Sequence, residues 1–251
     1  MQKRFGMARA SMQGLVNIIR FNWHFYVLAG VILCVTWYVN QFFIGSATLL
    51  LIIFLAAFWI VVSLAVSYFV YDRSKFYELD WLDDLETNSK GYSVNIHAGF
   101  DETSTLIKNK FPEAILKVWD FYDPKRHTEI SIKRARNAFP SLPETVPVDT
   151  SQLPNNKEFD TIFLIFAAHE IRDRSERQRF FEQLNGLLKP DGKIIVVEHL
   201  RDLPNFIAFT IGFFHFYSRK SWLEIFSNTN FGNIKTAKFT PFVSIFILSK
   251  A

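Results

Sequence analysis

Two long uncharged apolar runs constrain this chain more than any other feature. Residues 25–43 and 47–71 contain no Asp, Glu, Lys or Arg, and each matches the roughly 20 residues a helix needs to cross the hydrocarbon core of a bilayer. A pair of buried core helices is the competing reading, and two consecutive uncharged runs of this length disfavour it. A cleaved signal peptide fits poorly, because the first run starts late and a second follows it. Trp23, Tyr26, Trp37 and Tyr38 flank the first run and Tyr68 and Tyr71 end the second, the placement of an interfacial aromatic belt. The connector NQFFIGSA is uncharged, whereas Arg4, Arg9 and Arg20 precede the first run and Arg73 and Lys75 follow the second. The positive-inside rule then places both termini in the cytoplasm and the hairpin tip outside. The expected organisation is a basic cytoplasmic arm (1–22), a transmembrane helical hairpin (23–72) and a cytoplasmic domain (73–251). The arm reads either as a basic amphipathic helix on the inner leaflet or as a disordered segment.

Charge is distributed accordingly. No acid precedes Asp72, and with Lys3, Arg4, Arg9 and Arg20 set aside the remaining 24 basic residues equal the 24 acidic ones. The folded part is formally neutral, so it offers no basic face of the kind nucleic acid requires, and no nucleic-acid partner is expected. Cys34 is the single cysteine, which excludes an internal disulfide framework and fits a reducing compartment.

Beyond a polar, helical-looking stretch (73–89), strand-like and helix-like segments alternate. Strand candidates are 93–98, 114–120, 145–149, 159–167 and 193–199, and the last two are near-continuous apolar runs, as in parallel strands covered on both faces. Helical segments fall at 102–110, 127–138, 173–188 and 219–228. In the third, Phe180, Leu184, Leu187 and Leu188 share one face, and KPDGK reads as its stop signal. NIKTAKF and FVSIFILSK, joined at Thr240-Pro241, form a closing antiparallel hairpin. The predicted fold class is α/β: a doubly wound, mostly parallel seven-stranded sheet with a C-terminal antiparallel hairpin, preceded by the two-helix membrane hairpin.

The segments VPVDTSQLPNNKEFDTIFLIFAAHEI and LNGLLKPDGKIIVVEHLRD combine an acid after the third strand, an FD opening the fourth and an LLKPDGK turn before the fifth. In this order they resemble the class I S-adenosylmethionine-dependent methyltransferases over roughly residues 90–250. The resemblance implies S-adenosylmethionine as cofactor and a first loop of the form acid-apolar-Gly-x-Gly-x-Gly. Here that loop is VNIHAGFDETS (94–104). Aligned on Gly99, Asn95 stands where the family's acid sits, His97 at the first glycine and Asp101 at the last. Glycine suits such loops because it lacks a Cβ and reaches φ > 0 freely, so His97 and Asp101 narrow or reshape the approach. A helix start lined by Asp101 and Glu102 suits a ligand bearing an ammonium and a sulfonium, and it is poor for a dinucleotide pyrophosphate.

Asp120 ends the second strand about 20 residues after Gly99, the spacing at which an acid meets ribose hydroxyls. Asp149 resembles the family's acid facing the adenine amino group; a helix-cap or turn role is the plain alternative for each. The expected cofactor set is thus Asn95, His97, Gly99, Asp101, Asp120 and Asp149.

Four histidines lie at or beyond strand ends: His97, His169, His199 and His215, with Glu170 and Glu198 beside two of them. Open α/β sheets bind ligands at this edge, and imidazole with carboxylate suits proton transfer or a divalent metal. In an extended strand His169 and Glu170 point to opposite faces, so both ligate only if the chain turns there; no metal is assigned. The expected catalytic residues are His169, as base, and Glu198. The apolar segment NFIAFTIGFFHFY (205–217) is too short to span a bilayer and reads as a buried helix or as a lid dipping into the interface.

The sequence therefore predicts a membrane-anchored S-adenosylmethionine-dependent methyltransferase acting on a lipophilic acceptor, with the bilayer as its other partner. Two alternatives stay open. The altered loop and the His/Glu set are similar to the methyltransferase-like enzymes of rhodoquinone biosynthesis, which implies a quinone-modifying enzyme with a metal-assisted site. The other alternative is a tethered pseudo-enzyme serving as an interaction module.

Overall fold

The computed structural model describes residues 9–85, 87, 90–155 and 158–250; the first part of the expected arm, with Lys3 and Arg4, lies outside them. Helix α1 (Gln13–Val39) continues through a π turn at Asn40–Ile44 and ends at Gly45, whose φ of +69° favours glycine. Ser46 caps α2 (Ala47–Tyr68) by accepting from the Leu49 N–H at 3.3 Å, and the Asn40 carboxamide accepts from the Ser46 N–H at 2.9 Å. Both helices are long and apolar enough to cross a bilayer, and the protein covers little of their surface. Because α1 starts at Gln13, the second part of the expected arm is continuous with the first span.

A second π turn (Phe69–Arg73) extends α2 back to the start of α1. There the Asp72 carboxylate accepts from the N–H groups of Gly14 (2.8 Å) and Leu15 (2.9 Å). It thereby satisfies amides that the first turn of a helix leaves unpaired. A Cβ at Gly14 would stand 2.3 Å from the Cβ of Tyr71, so the two backbones meet at this point.

The helix expected over 73–89 is instead two 3₁₀ turns, Phe76–Glu78 and Asp80–Leu85, separated by Leu79 at φ +61°; residues 86, 88 and 89 lie outside the described residues. Burial explains the break. Phe76, Leu79 and Leu82 all insert into the core below the sheet, which one straight helix cannot arrange.

The sheet then unfolds in chain order: β1 (Tyr92–His97), α3 (Ser104–Lys110), β2 (Ile115–Asp120), α4 (Ile130–Ala138), β3 (Thr145–Pro147) and β4 (Phe159–Ile165). It continues with α5 (Arg174–Gly186), β5 (Leu188–Glu198), α6 (Leu203–Phe209), α7 (Arg219–Ser227), β6 (Phe231–Thr240) and β7 (Val243–Lys250). The strand order is β3-β2-β1-β4-β5-β7-β6, with β1 to β5 mutually parallel and β7 antiparallel to both its neighbours. This is the predicted seven-stranded, mostly parallel sheet with its C-terminal hairpin. Alternate residues of β4 and β5 feed opposite layers. Ile162, Leu164, Ile194 and Val196 pack under Phe180, Phe181 and Phe226, while Phe163, Ile165, Ile195 and Val197 pack against Ile107, Phe76 and Leu82.

Several boundaries shift by a few residues, and one shift changes the reading of a motif. β5 begins at Leu188, so KPDGK lies inside the strand rather than before it. Leu188 pairs with Phe159 and Lys193 with Thr161, a register shift that absorbs the Pro-Gly segment as an irregularity on β5.

The aromatic segment forms α6 and a 3₁₀ stretch, Thr210–His215, beside α2. Ile211 and Phe214 are 82% and 62% exposed, so this element is not a core helix.

Candidate functional site

Strand order reverses between β1 and β4, and a cavity of about 660 Å³ opens at the carboxyl ends of the strands there. Its floor and walls come from Ala98 after β1, residues 121–124 and 126–129 after β2, Asp149 and Thr150 after β3, and residues 170–173 after β4. The Tyr122 and His127 rings stack across 5.5 Å, and Arg126 pairs with Glu176 at 2.5 Å at the cavity wall.

Beside it lies the loop that closes β1. Gly99 has φ +94°, and a Cβ there would meet the Tyr122 ring at 2.8 Å and the Arg136 guanidinium at 3.0 Å, so this one glycine is sterically required. The non-glycine residues of the loop hold it internally. Asp101 accepts from the N–H groups of Thr103 and Ser104 at 3.0 and 2.9 Å. Asn95 donates to the hydroxyls of Thr103 and Ser104, and His97 Nδ1 accepts from the Gly99 N–H at 3.2 Å. Each of the three keeps a buried polar atom without a protein hydrogen bond among the described residues: Asn95 Oδ1, His97 Nε2 and Asp101 Oδ2.

Of the six expected cofactor residues, Asp149 lines the cavity directly. Its side chain accepts from the Ser151 hydroxyl and N–H, which holds its carboxyl below the usual carboxylate range. Asp120 is buried behind the cavity, accepting from the Tyr122 N–H at 2.9 Å and from Arg136 at 2.6 Å; Arg136 also donates to the Gly99 carbonyl. Gly99, Asn95, His97 and Asp101 form the shell behind that acid.

The chain does turn at His169. A 3₁₀ turn (Ala168–Glu170) follows β4 and brings His169 and Glu170 together. His169 Nδ1 lies 2.6 Å from Glu198 Oε2 and Nε2 lies 3.1 Å from Glu170 Oε1. Carboxylates only accept, so both ring nitrogens carry protons. Burial opposes the charge, but the two carboxylates outweigh it and push the imidazole up to about 10. Glu198 is fully buried and also accepts from the His169 N–H. On Glu170 burial works the other way, yet hydrogen bonds from His169 and His215 hold its carboxyl far below the usual range.

A second cavity, about 230 Å³, lies between the start of α1 and the domain. Phe21, Phe100, Phe166, Tyr71 and Tyr77 give it an aromatic lining. Glu129, Ile132 and Glu170 line both cavities, so the two adjoin at Glu170. At its edge the Glu102 carboxylate collects Arg9 (2.9 Å), Asn17 (3.1 Å) and Tyr77 (3.1 Å), which ties α1 to the loop after β1.

The four edge histidines therefore separate. His169 and His215 meet through Glu170, His97 ends β1 beside Asp120, and His199 bonds to Tyr71 and the Phe242 carbonyl. Sequence reasoning missed Arg136, the cavity wall 121–129, and Glu170 as the group that faces the cavities. The packed FYDPKRHTE directly after β2 was the available signal, since residues there face the carboxyl edge.

Residues 126–196, from the cavity wall through most of β5, match the family model described as "Methyltransferase domain". No curated protein sequence matches the chain. Among solved structures, one similar fold is a Nostoc punctiforme PCC 73102 protein provisionally described as an O-methyltransferase, at TM-score 0.51 and 15% identity over 76% of this chain and 60% of that one. The chain thus spans about 60% of that protein's length. Another is the PH0226 protein of Pyrococcus horikoshii OT3, at TM-score 0.51 and 14% identity over 71% of this chain and 91% of that one. With its strand order and antiparallel β7, the cytoplasm-predicted part of this chain has the α/β methyltransferase fold.

Proposed function

We propose that the protein is a membrane-anchored methyltransferase that uses S-adenosylmethionine and acts on a lipophilic small-molecule acceptor. The observation that carries this reading is the pair of adjoining cavities, one at the switch point of the sheet and one aromatic and flanked by α1, sharing Glu170. S-adenosylmethionine supplies a sulfonium-bound methyl group when bound. The first cavity fits it: Asp149 and the ring of Tyr122 stand where a nucleoside needs an acceptor and a flat surface, and Asp120 lies behind for the ribose. Asn95 Oδ1 and Asp101 Oδ2 accept no protein hydrogen bond among the described residues and would receive an ammonium, alongside Gly99 and His97, whose Nε2 faces Asp101 Oδ2 at 4.0 Å.

The second cavity holds the acceptor head group, reached from the bilayer along α1. Glu170 accepts the hydrogen bond of the acceptor hydroxyl and, being a weak base, takes its proton only as the methyl bond forms and the oxygen turns strongly acidic. Before that step Glu198, His169 and Glu170 together carry one excess negative charge. After it, His169 and Glu198 remain a neutralised pair, so no unpaired charge is left buried. His169 and Glu198 thus act through Glu170. Alignment of acceptor oxygen and methyl carbon supplies most of the rate.

The two long apolar helices and the basic residues flanking them support a cytoplasmic placement of the domain, with both ends inside and Gly45 at the outer tip. The test incubates the purified full chain, in lipid nanodiscs, with methyl-labelled S-adenosylmethionine and a bacterial lipid extract. Label entering the organic phase with the wild type, and lost with Glu170→Gln, supports the reading; label absent from the organic phase sinks the lipophilic acceptor.

A further inference from the structure

We infer that His169, Glu170 and His215 form a binding site for one divalent first-row metal ion, with Glu198 as the outer partner that orients His169. The three ligand atoms lie within 4.8 Å of one another. Glu170 Oε1 is 3.1 Å from His169 Nε2 and 3.2 Å from His215 Nε2. Ligands about 2.0–2.2 Å from a common ion and roughly 90–110° apart stand about 3.0–3.5 Å from each other, so these spacings already suit an ion. Two imidazoles and one carboxylate on one side of an ion, with the remaining positions open, make a set that mid- and late-row divalent ions accept.

The outer partner is in place too. A metal-bound imidazole is commonly steered by a carboxylate on its other nitrogen, and Glu198 Oε2 holds His169 Nδ1 at 2.6 Å from a fully buried position. That bond aims Nε2 at Glu170 and His215, and an entering ion takes the place of the Nε2 proton, which leaves to solvent. The 3₁₀ turn at Ala168–Glu170 is what makes the site geometrically accessible to neighbouring residues, since an extended strand would send His169 and Glu170 to opposite faces.

Arg172 is the local competitor. Its guanidinium stands against both ring nitrogens of His215 and donates to the His215 carbonyl at 2.7 Å. An entering ion displaces the ring contact at Nε2, and the carbonyl bond can stay. Glu129, 3.8 Å from His215 Nδ1, adds a further negative charge nearby. The open side of the ion faces the cavity junction at Glu170, where an acceptor oxygen would complete its coordination; that last role, unlike ion binding itself, rests on the methyl-transfer reading.

The test is metal binding by the full chain in nanodiscs after chelation, with manganese(II) followed by electron paramagnetic resonance and zinc(II) by calorimetry. One ion per chain is expected for at least one of the two metals. His215→Ala and Glu170→Gln should weaken it more than tenfold, and Glu198→Gln by about 10-fold to 100-fold. His215→Asp, which restores an oxygen ligand, should recover most of the loss relative to His215→Ala while both variants melt like the wild type. Failure of both metals to bind stoichiometrically, or binding indifferent to His215→Ala and Glu170→Gln, overturns the site. Neither result bears on methyl transfer, which is read separately by label transfer without added metal.

Discussion

The phenol of Tyr71, at the end of the second long apolar helix, donates to His199 Nε2 at the end of β5 across 2.8 Å. His199 Nδ1 lies 2.9 Å from the Phe242 carbonyl. A carbonyl only accepts, so the proton sits on Nδ1 and Nε2 is left to accept from the phenol. One neutral imidazole thus links the hairpin, the parallel sheet and the β6–β7 turn. Phe166 stacks on the same ring at 4.9 Å, which keeps water away from it.

Acid should undo this junction. Burial is the main cause that pushes His199 down to about 4, against an ordinary value near 6.5. The unfolded chain therefore binds that proton more tightly than the folded one. The contribution to stability is complete above about pH 6.5 and is lost as pH falls toward 4, up to about 3 kcal/mol. Thermal unfolding of the wild type between pH 7 and 4 should show this fall. His199→Gln should be less stable at pH 7 and lose less on acidification; an equally steep fall in the variant would remove His199 as the cause.

Gly14 makes a sharper test of how the hairpin docks. With a Cβ only 2.3 Å from that of Tyr71, Gly14→Ala has to push α1 away from the end of α2. This strains the Asp72 bonds to Gly14 and Leu15. Overpacking of this kind costs about 1–3 kcal/mol. Gly30→Ala, where nothing lies within 4 Å of the added atom, should be neutral or mildly stabilising. Equal melting temperatures for the two variants would mean that α1 and α2 are not in contact at this crossing.

Much of this architecture is legible along the chain because it is set locally. The apolar runs of β4 and β5, the single face of α5 and the alternation of β6 and β7 each follow from a repeat of two or 3.6 residues. What escaped reading depends on partners far apart in sequence. Nothing near Asp120 announces Arg136, nothing near Gly14 announces Asp72, and KPDGK, expected to stop a helix, lies in β5 because the helix has already ended at Gly186 and Phe159 pairs with Leu188 just ahead of it. In the site, the sequence singled out His169 and Glu198, and these two do meet. It could not foresee that a 3₁₀ turn would put Glu170, rather than His169, toward the cavities.

The α6 segment should report on the bilayer. Ile211 and Phe214 are mostly exposed and lie on the 3₁₀ stretch that follows α6, which packs beside α2, where the membrane surface is expected. Ile211→Glu and Phe214→Glu should each leave the melting temperature within about 1–2 °C, since exposed sites rarely shift stability by more than 0.5 kcal/mol. Label transfer to a lipophilic acceptor in nanodiscs should fall severalfold. If activity stays unchanged while stability drops, these side chains pack on protein and not on lipid.

The loop after β1 decides whether the fold is a working enzyme. Asp120, the acid proposed to meet the ribose, already carries an arginine, Arg136 at 2.6 Å. If the loop binds cofactor, the wild-type chain should take up S-adenosylmethionine or its demethylated product in calorimetry. Asp120→Ala should then weaken binding at least tenfold, as loss of one charge-assisted hydrogen bond costs about 1.5–3 kcal/mol. That variant also strips Arg136 of its partner, so Arg136→Ala is the necessary companion. It keeps the carboxylate and removes the competing cation, and affinity should hold or improve. Equal losses in both would mean the pair only clasps the loop against α4. His97→Gly restores the glycine that the family resemblance implies. Because His97 contacts Gly99, Asp101 and Asp120 and stands apart from His169 and His215, this change should leave label transfer intact and binding neutral or better. Loss of transfer with binding kept would instead put His97 among the catalytic groups. A wild-type chain that binds neither compound, with or without divalent metal, would leave a tethered module whose cavity has outlived its ligand.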